Sequence, residues 1–78
     1  MTILEATIQT LKNLGGKATY SDLYAEYEQV VGHSITKNQQ AGIRGCIEVH
    51  SSDSDAFNGT DDIFYAVYGK GKGVWGLR

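Results

Sequence analysis

Proline is absent from this chain, cysteine occurs once, as Cys46, and histidine twice, as His33 and His50. A single cysteine closes no internal disulfide, and two histidines barely begin a metal-ligand set. The expectation is therefore a chain without a metal, from a reducing compartment. Long apolar runs are missing too. No stretch approaches the roughly 18 apolar residues of a membrane span, and the N-terminus carries no basic region leading into an apolar run. That predicts a cytoplasmic chain with no membrane partner, in which Asn58-Gly59-Thr60 is a turn rather than a glycosylation acceptor. No repeat, linker or low-complexity tract divides the 78 residues, so 1–78 is expected to be one domain with one small core. Such a chain is too small for most two-domain catalytic clefts. With no nucleophile motif around Cys46, it is expected to be a non-enzyme that needs no cofactor and no small-molecule substrate.

Charge is scarce in total and uneven in distribution. Charged residues make up 21% of the chain and the formal net charge is -2. Residues 51 to 62 carry Asp53, Asp55, Asp61 and Asp62 and no base, whereas residues 63 to 78 carry Lys70, Lys72 and Arg78 and no acid. An acidic segment is thus followed by a basic one.

Local signals then order the elements. Thr2 and Glu5 form a capping-box pair, and Leu4, Ile8, Leu11 and Leu14 make one apolar stripe before Gly15-Gly16 stops the helix. Lys17 to Tyr20 favours a short strand. Ser21 is placed to cap a second helix, whose Leu23, Tyr27, Val30 and Val31 recur at helical spacing until Gly32. Thr36 and Gln39 form another capping box, which opens a third helix from about Lys37 to about His50. Residues 51 to 62 predict a loop anchored by Phe57, after which 63–68 and 74–77 form a hairpin across a glycine-rich turn. The order predicts an α+β winged helix-turn-helix, with three helices, a short strand after the first and a C-terminal wing.

The third helix carries the candidate interface. At 100° per residue Gln39, Ile43, Cys46, Ile47 and His50 fall on the inward side, and Lys37, Ala41, Arg44, Gly45 and Glu48 on the outward side. Lys37 and Arg44 supply phosphate-binding cations, Asn38 and Gln40 supply amides that read adenine edges, and Ala41, Gly42 and Gly45 keep the surface low. Lys70 and Lys72 would add backbone contacts from the wing tip. Most aromatics, Trp75 included, are expected in the core, with Tyr65 or Tyr68 as the rings able to reach a ligand.

Two tempting motifs fail on their context. Gly71, Gly73 and Gly76 spell G-x-G-x-x-G, but a dinucleotide loop must open a helix, and only Leu77 and Arg78 follow. The glycines are expected to serve turn geometry, with Gly76 admitting a neighbouring ring or backbone. The run "DSDAFNGTDD" breaks the calcium-loop pattern at Phe57, Asn58 and Phe64.

The strings "GGKATYSDLYAEYE", "HSSDSDAFNG" and "GKGVWGLR" resemble the small winged helix-turn-helix domains fused to bacterial restriction endonucleases, often of the HNH class, and the wider group that includes HARE-HTH domains. The resemblance implies a duplex DNA-binding module that directs or regulates an associated nuclease in a restriction-modification or defence system, in some members by sensing modified bases. It also implies that Lys37, Asn38, Gln40, Ala41 and Arg44 enter the major groove, and that Ser51, Ser52 and Ser54 touch the backbone. The alternative is a protein-interaction module, such as a phage or mobile-element regulator, that works through acidic loop 51–62.

Overall fold

The computed structural model describes all of residues 1–78, as three helices and a three-stranded antiparallel sheet. The order is α1 (Ile3–Asn13), β1 (Lys17–Thr19), α2 (Tyr20–Val31), α3 (Lys37–Val49), β2 (Phe64–Ala66) and β3 (Val74–Leu77). β3 lies between β1 and β2, with Ala18 opposite Trp75 on one side and Ala66 opposite the same Trp75 on the other. This is the expected α+β class, and the sheet order is consistent with a winged-helix topology.

Local chemistry sets the helix ends. Both capping boxes form: Thr2 with Glu5, and Thr36 with Gln39. α1 stops at Gly15 and Gly16, which take φ of 86° and 100° and return their N–H groups to Lys12 and Leu11 carbonyls. α2 starts two residues earlier than the Ser21 cap implies. Thr19 is the cap instead, because the last residue of β1 is already extended and its Oγ1 accepts from Asp22 N at 3.2 Å.

The core is built from Ala6, Leu11, Ala18, Leu23, Tyr27, Ile43, Ile47, Phe64 and Trp75, so all three helices and all three strands contribute to it. Thr7 and Thr10 are also fully buried, and their hydroxyls donate to the Ile3 and Ala6 carbonyls one turn back, which removes the cost of burying them. The C-terminal end of α3 is sewn to the hairpin: His50 O accepts from Ile63 N at 2.7 Å and from Phe64 N at 3.1 Å. That pair of bonds fixes where the wing leaves the third helix. No helix is long and apolar enough to cross a membrane.

Candidate nucleic-acid interface

The predicted inward and outward faces of α3 are recovered in part, since Arg44, Gly45 and Glu48 of the outward set are half-buried. Ile43 and Ile47 are buried, while Lys37, Asn38 and Ala41 are exposed. Gln39 departs from the inward set. Its side chain turns back to accept from Thr36 N at 2.7 Å, a capping duty that holds it at the surface. Cys46 and His50 are half-buried, and the His50 ring Nδ1 lies 2.8 Å from Cys46 O. Burial raises the Cys46 thiol, the opposite of what a reactive cysteine requires.

A Cβ placed on Gly45 would meet nothing within 4 Å, and one on Gly42 would touch only the Ile3 side chain at 3.8 Å. Intramolecular packing therefore gives no reason for glycine at either place. Each costs about 1 kcal/mol relative to alanine within a helix. The helix thus presents a low strip at 41, 42 and 45, bounded by Lys37, Asn38 and Arg44.

Arg44 does not extend freely into solvent. It is half-buried, and its Nη1 donates to Tyr24 Oη at 2.9 Å across the helix-turn-helix. The Tyr24 ring is stacked on Tyr20, with centroids 5.8 Å apart and planes 15° from parallel. Tyr20 itself is pushed up to about 12, chiefly by burial and then by the charge of Glu48. The turn between α2 and α3 is held by Ile35 N donating to Glu28 Oε2 at 2.8 Å, which sets the angle at which α3 presents its face.

The acidic loop and the basic wing meet. Lys70 pairs with Asp55, and Arg78 lies 3.3 Å from Asp53 and 2.9 Å from Asp62. Asp53 also accepts from Ala66 N at 2.9 Å, capping the outer edge of β2, and Asp62 accepts from Ser52 N at 2.9 Å and Ser52 Oγ at 2.6 Å. Asp61 is the one carboxylate of the segment with no partner, and Lys72 the one cation of the wing with none. The two charge blocks of the sequence thus largely cancel across the fold.

The three serines expected at a DNA backbone, Ser51, Ser52 and Ser54, all make hydrogen bonds within the chain. Ser51 is fully buried, donating its N–H to Glu48 O and accepting from Asp53 N at Oγ, so it has no surface to offer a phosphate. Ser52 is exposed but sits between Asp62 and Arg78, where its hydroxyl is already committed. Ser54 is half-buried, its Oγ accepting from Ala56 N. Sequence reading had no means of seeing this: a serine that seals a helix end inside a loop and one that faces solvent have the same local signature. Lys37, Asn38, Gln40, Ala41, Arg44 and Lys72 remain able to face a ligand.

Comparison with family models, with curated proteins and with solved structures finds no match to this chain. What the face can do rests on its own geometry. In the wing turn Gly69, Gly71 and Gly73 take φ of 94°, 81° and 72°, and Trp75 of the strand that follows is buried in the core. Tyr68 stands at the base of the wing, 67% exposed, while Tyr65 lies under Arg78 with the guanidinium carbon 5.9 Å from the ring centre. A groove of about 420 Å³ lies beside the start of α3, among Met1, Ile3, Val30, Val31, His33 and Gln39.

The Ser52 hydroxyl and N–H, followed by Arg78, hold the Asp62 carboxyl below the usual carboxylate range. The unfolded chain takes up that proton at higher pH than the folded one. This contribution to stability is therefore complete above about pH 4 and is lost as pH falls through the folded value. Asp62→Ala should lower the melting temperature at pH 7, and the gap to wild type should close towards pH 2. An equal gap at both pH values in thermal melts would show that Asp62 contributes nothing through its charge.

Proposed function

We propose that the chain is a duplex DNA-binding winged-helix module that acts by binding alone, with α3 in the major groove and the wing against the backbone. The observation that carries the reading is the outward face of α3. Lys37 and Asn38 are exposed at its start, the Ala41 and Gly45 positions are open, and Arg44 has no ionic partner, whereas the acidic segment neutralises Lys70 and Arg78. Free cations and amides on a low helical surface suit phosphates and base edges together. The strings that resemble restriction-associated winged helices support the further step, that the module targets or regulates a nuclease of a defence system and does so within the cytoplasm. The acidic loop is a poor second surface, since Asp53, Asp55 and Asp62 are already engaged within the chain.

Titration of labelled duplexes at low salt, followed by fluorescence anisotropy and amide shifts, tests this reading. Binding should weaken steeply with salt, and Lys37→Ala should weaken it on all sequences alike while reducing the salt slope by about one ion. The absence of duplex binding at low salt would reject the proposal.

The wing lysines should differ. Lys72 has no carboxylate to leave and Lys70 has Asp55, so Lys72→Ala should cost more affinity than Lys70→Ala. Asp55→Ala should tighten binding by severalfold, because it releases Lys70 and removes a negative charge beside the phosphates. If Asp55→Ala weakens binding, the wing does not approach the backbone through Lys70.

A further inference from the structure

Arg44 is the only arginine besides Arg78, and the two are used differently. Arg78 spends its Nε and Nη2 on Asp62, Asp53 and Ser52. Arg44 spends only Nη1, on the neutral Tyr24 hydroxyl, and the edge formed by its Nε and Nη2 has no partner. That edge is a planar two-donor fork, the shape that matches the O6 and N7 acceptors of guanine. Its direction is set from behind: Tyr24 Oη holds Nη1 and the Tyr20 ring backs Tyr24, so the guanidinium is braced before any ligand arrives.

Two neighbours decide between a base and a phosphate. Glu48, half-buried one turn along α3 from Arg44, forms no ion pair, and its negative charge reaches the guanidinium. A phosphate there would meet that negative charge, whereas the N4 amino group of a cytosine would donate to it. Ala41 is exposed and Gly45 faces open space, so no side chain at these positions stands between the fork and a base edge.

We propose that Arg44, braced by Tyr24 and flanked by Glu48, reads a guanine in the major groove, so that the site bound by this chain contains a G·C pair at one fixed position. The proposal rests on the DNA-binding reading above and specifies what that interface recognises. Tyr24 acts as a positioning residue, since it reaches the base only through Arg44.

Selection of bound duplexes from a randomised pool, followed by titration of single-position variants, tests it. The wild-type chain should enrich guanine at one position. Changing that G·C pair to A·T, or replacing the guanine by 7-deazaguanine, which lacks N7, should weaken binding roughly ten- to a hundredfold for the pair and severalfold for the analogue. Arg44→Lys keeps the charge and loses the fork, so its loss of affinity on the guanine-containing site should exceed its loss on random duplex by roughly tenfold, and the guanine preference should disappear. Tyr24→Phe should reduce the preference severalfold with random-duplex affinity unchanged, an outcome that general destabilisation would not produce. A wild-type chain that binds duplexes without a fixed guanine overturns the proposal and leaves the DNA-binding reading standing. So does an Arg44→Lys variant that selects the same guanine. An Arg44→Ala variant that loses affinity equally on every sequence, with one ion less in the salt slope, would make Arg44 a phosphate contact and overturn the proposal likewise. Failure to bind any duplex removes both.

Discussion

Phe64→Ala is expected to lower stability by about 3–5 kcal/mol, a large part of what this chain has. Phe64 is the largest of the fully buried side chains, and it sits where three constraints meet. Its ring belongs to the buried core cluster, its N–H is bonded to His50 O at 3.1 Å, and its backbone pairs with Leu77 at the end of the central strand. The chain cannot collapse into the vacated space without breaking the bond between the α3 terminus and β2, so most of the cavity would persist. With 78 residues at about 0.05–0.15 kcal/mol each, the whole fold is worth about 4–12 kcal/mol. A domain of this size loses about 4–8 °C of melting temperature per kcal/mol, so the midpoint should fall by 12 °C or more. Urea unfolding gives the direct measurement. Tyr68→Ala, at a ring that is 67% exposed, should change stability by no more than about 0.5 kcal/mol. A loss below about 1 kcal/mol at Phe64 would show that the hairpin is not anchored through this ring.

Gly76→Ala should destabilise the fold by about 1–3 kcal/mol, although alanine in place of a strand glycine ordinarily stabilises. A Cβ at 76 would lie 2.6 Å and 3.0 Å from the Tyr65 Cε1 and Cζ atoms, and 3.2 Å from Gly16 O. The Gly16 carbonyl cannot retreat easily, because it accepts from Leu77 N at 2.8 Å and thereby joins β3 to the end of α1. The Tyr65 ring could swing away, but it would leave its place under Arg78, whose guanidinium ties Asp53 and Asp62 to the hairpin. A Tyr65→Ala background should remove much of the penalty, and the coupling from a double-mutant cycle should exceed about 0.5 kcal/mol. Additive effects of the two substitutions would mean that the close approach is to Gly16 alone. The last glycine of the G-x-G-x-x-G match therefore has a packing role, and the glycines at 71 and 73 supply positive φ.

The residues of the candidate interface were legible to differing depths. Lys37, Asn38 and Ala41 could be placed because helical periodicity alone decides their exposure, and α3 obeys it. Arg44 was legible as an outward cation, but its orientation was not, since a long side chain chooses among partners that only the packed helices supply. The burial of Ser51 and the Asp62 and Arg78 bonds of Ser52 were not legible, because they depend on how a dozen-residue loop folds against β2, and no local pattern encodes that.

The same division runs through the whole molecule. The amino-acid sequence by itself determined the capping boxes, the glycine stops, the buried stripes and the helix-strand order, all of which rest on contacts within about four residues or on a backbone preference at one position. Only the tertiary structure decided which charges remain free. Lys70 finds Asp55 fifteen residues away (|i−j|=15), Arg78 finds Asp62 sixteen away (|i−j|=16), and Arg44 finds Tyr24 twenty away (|i−j|=20). Composition records that both signs are present. Which of them cancel, and which face a partner, depends on chain segments brought together by burial of the apolar core, whose energy is indifferent to the charges it juxtaposes.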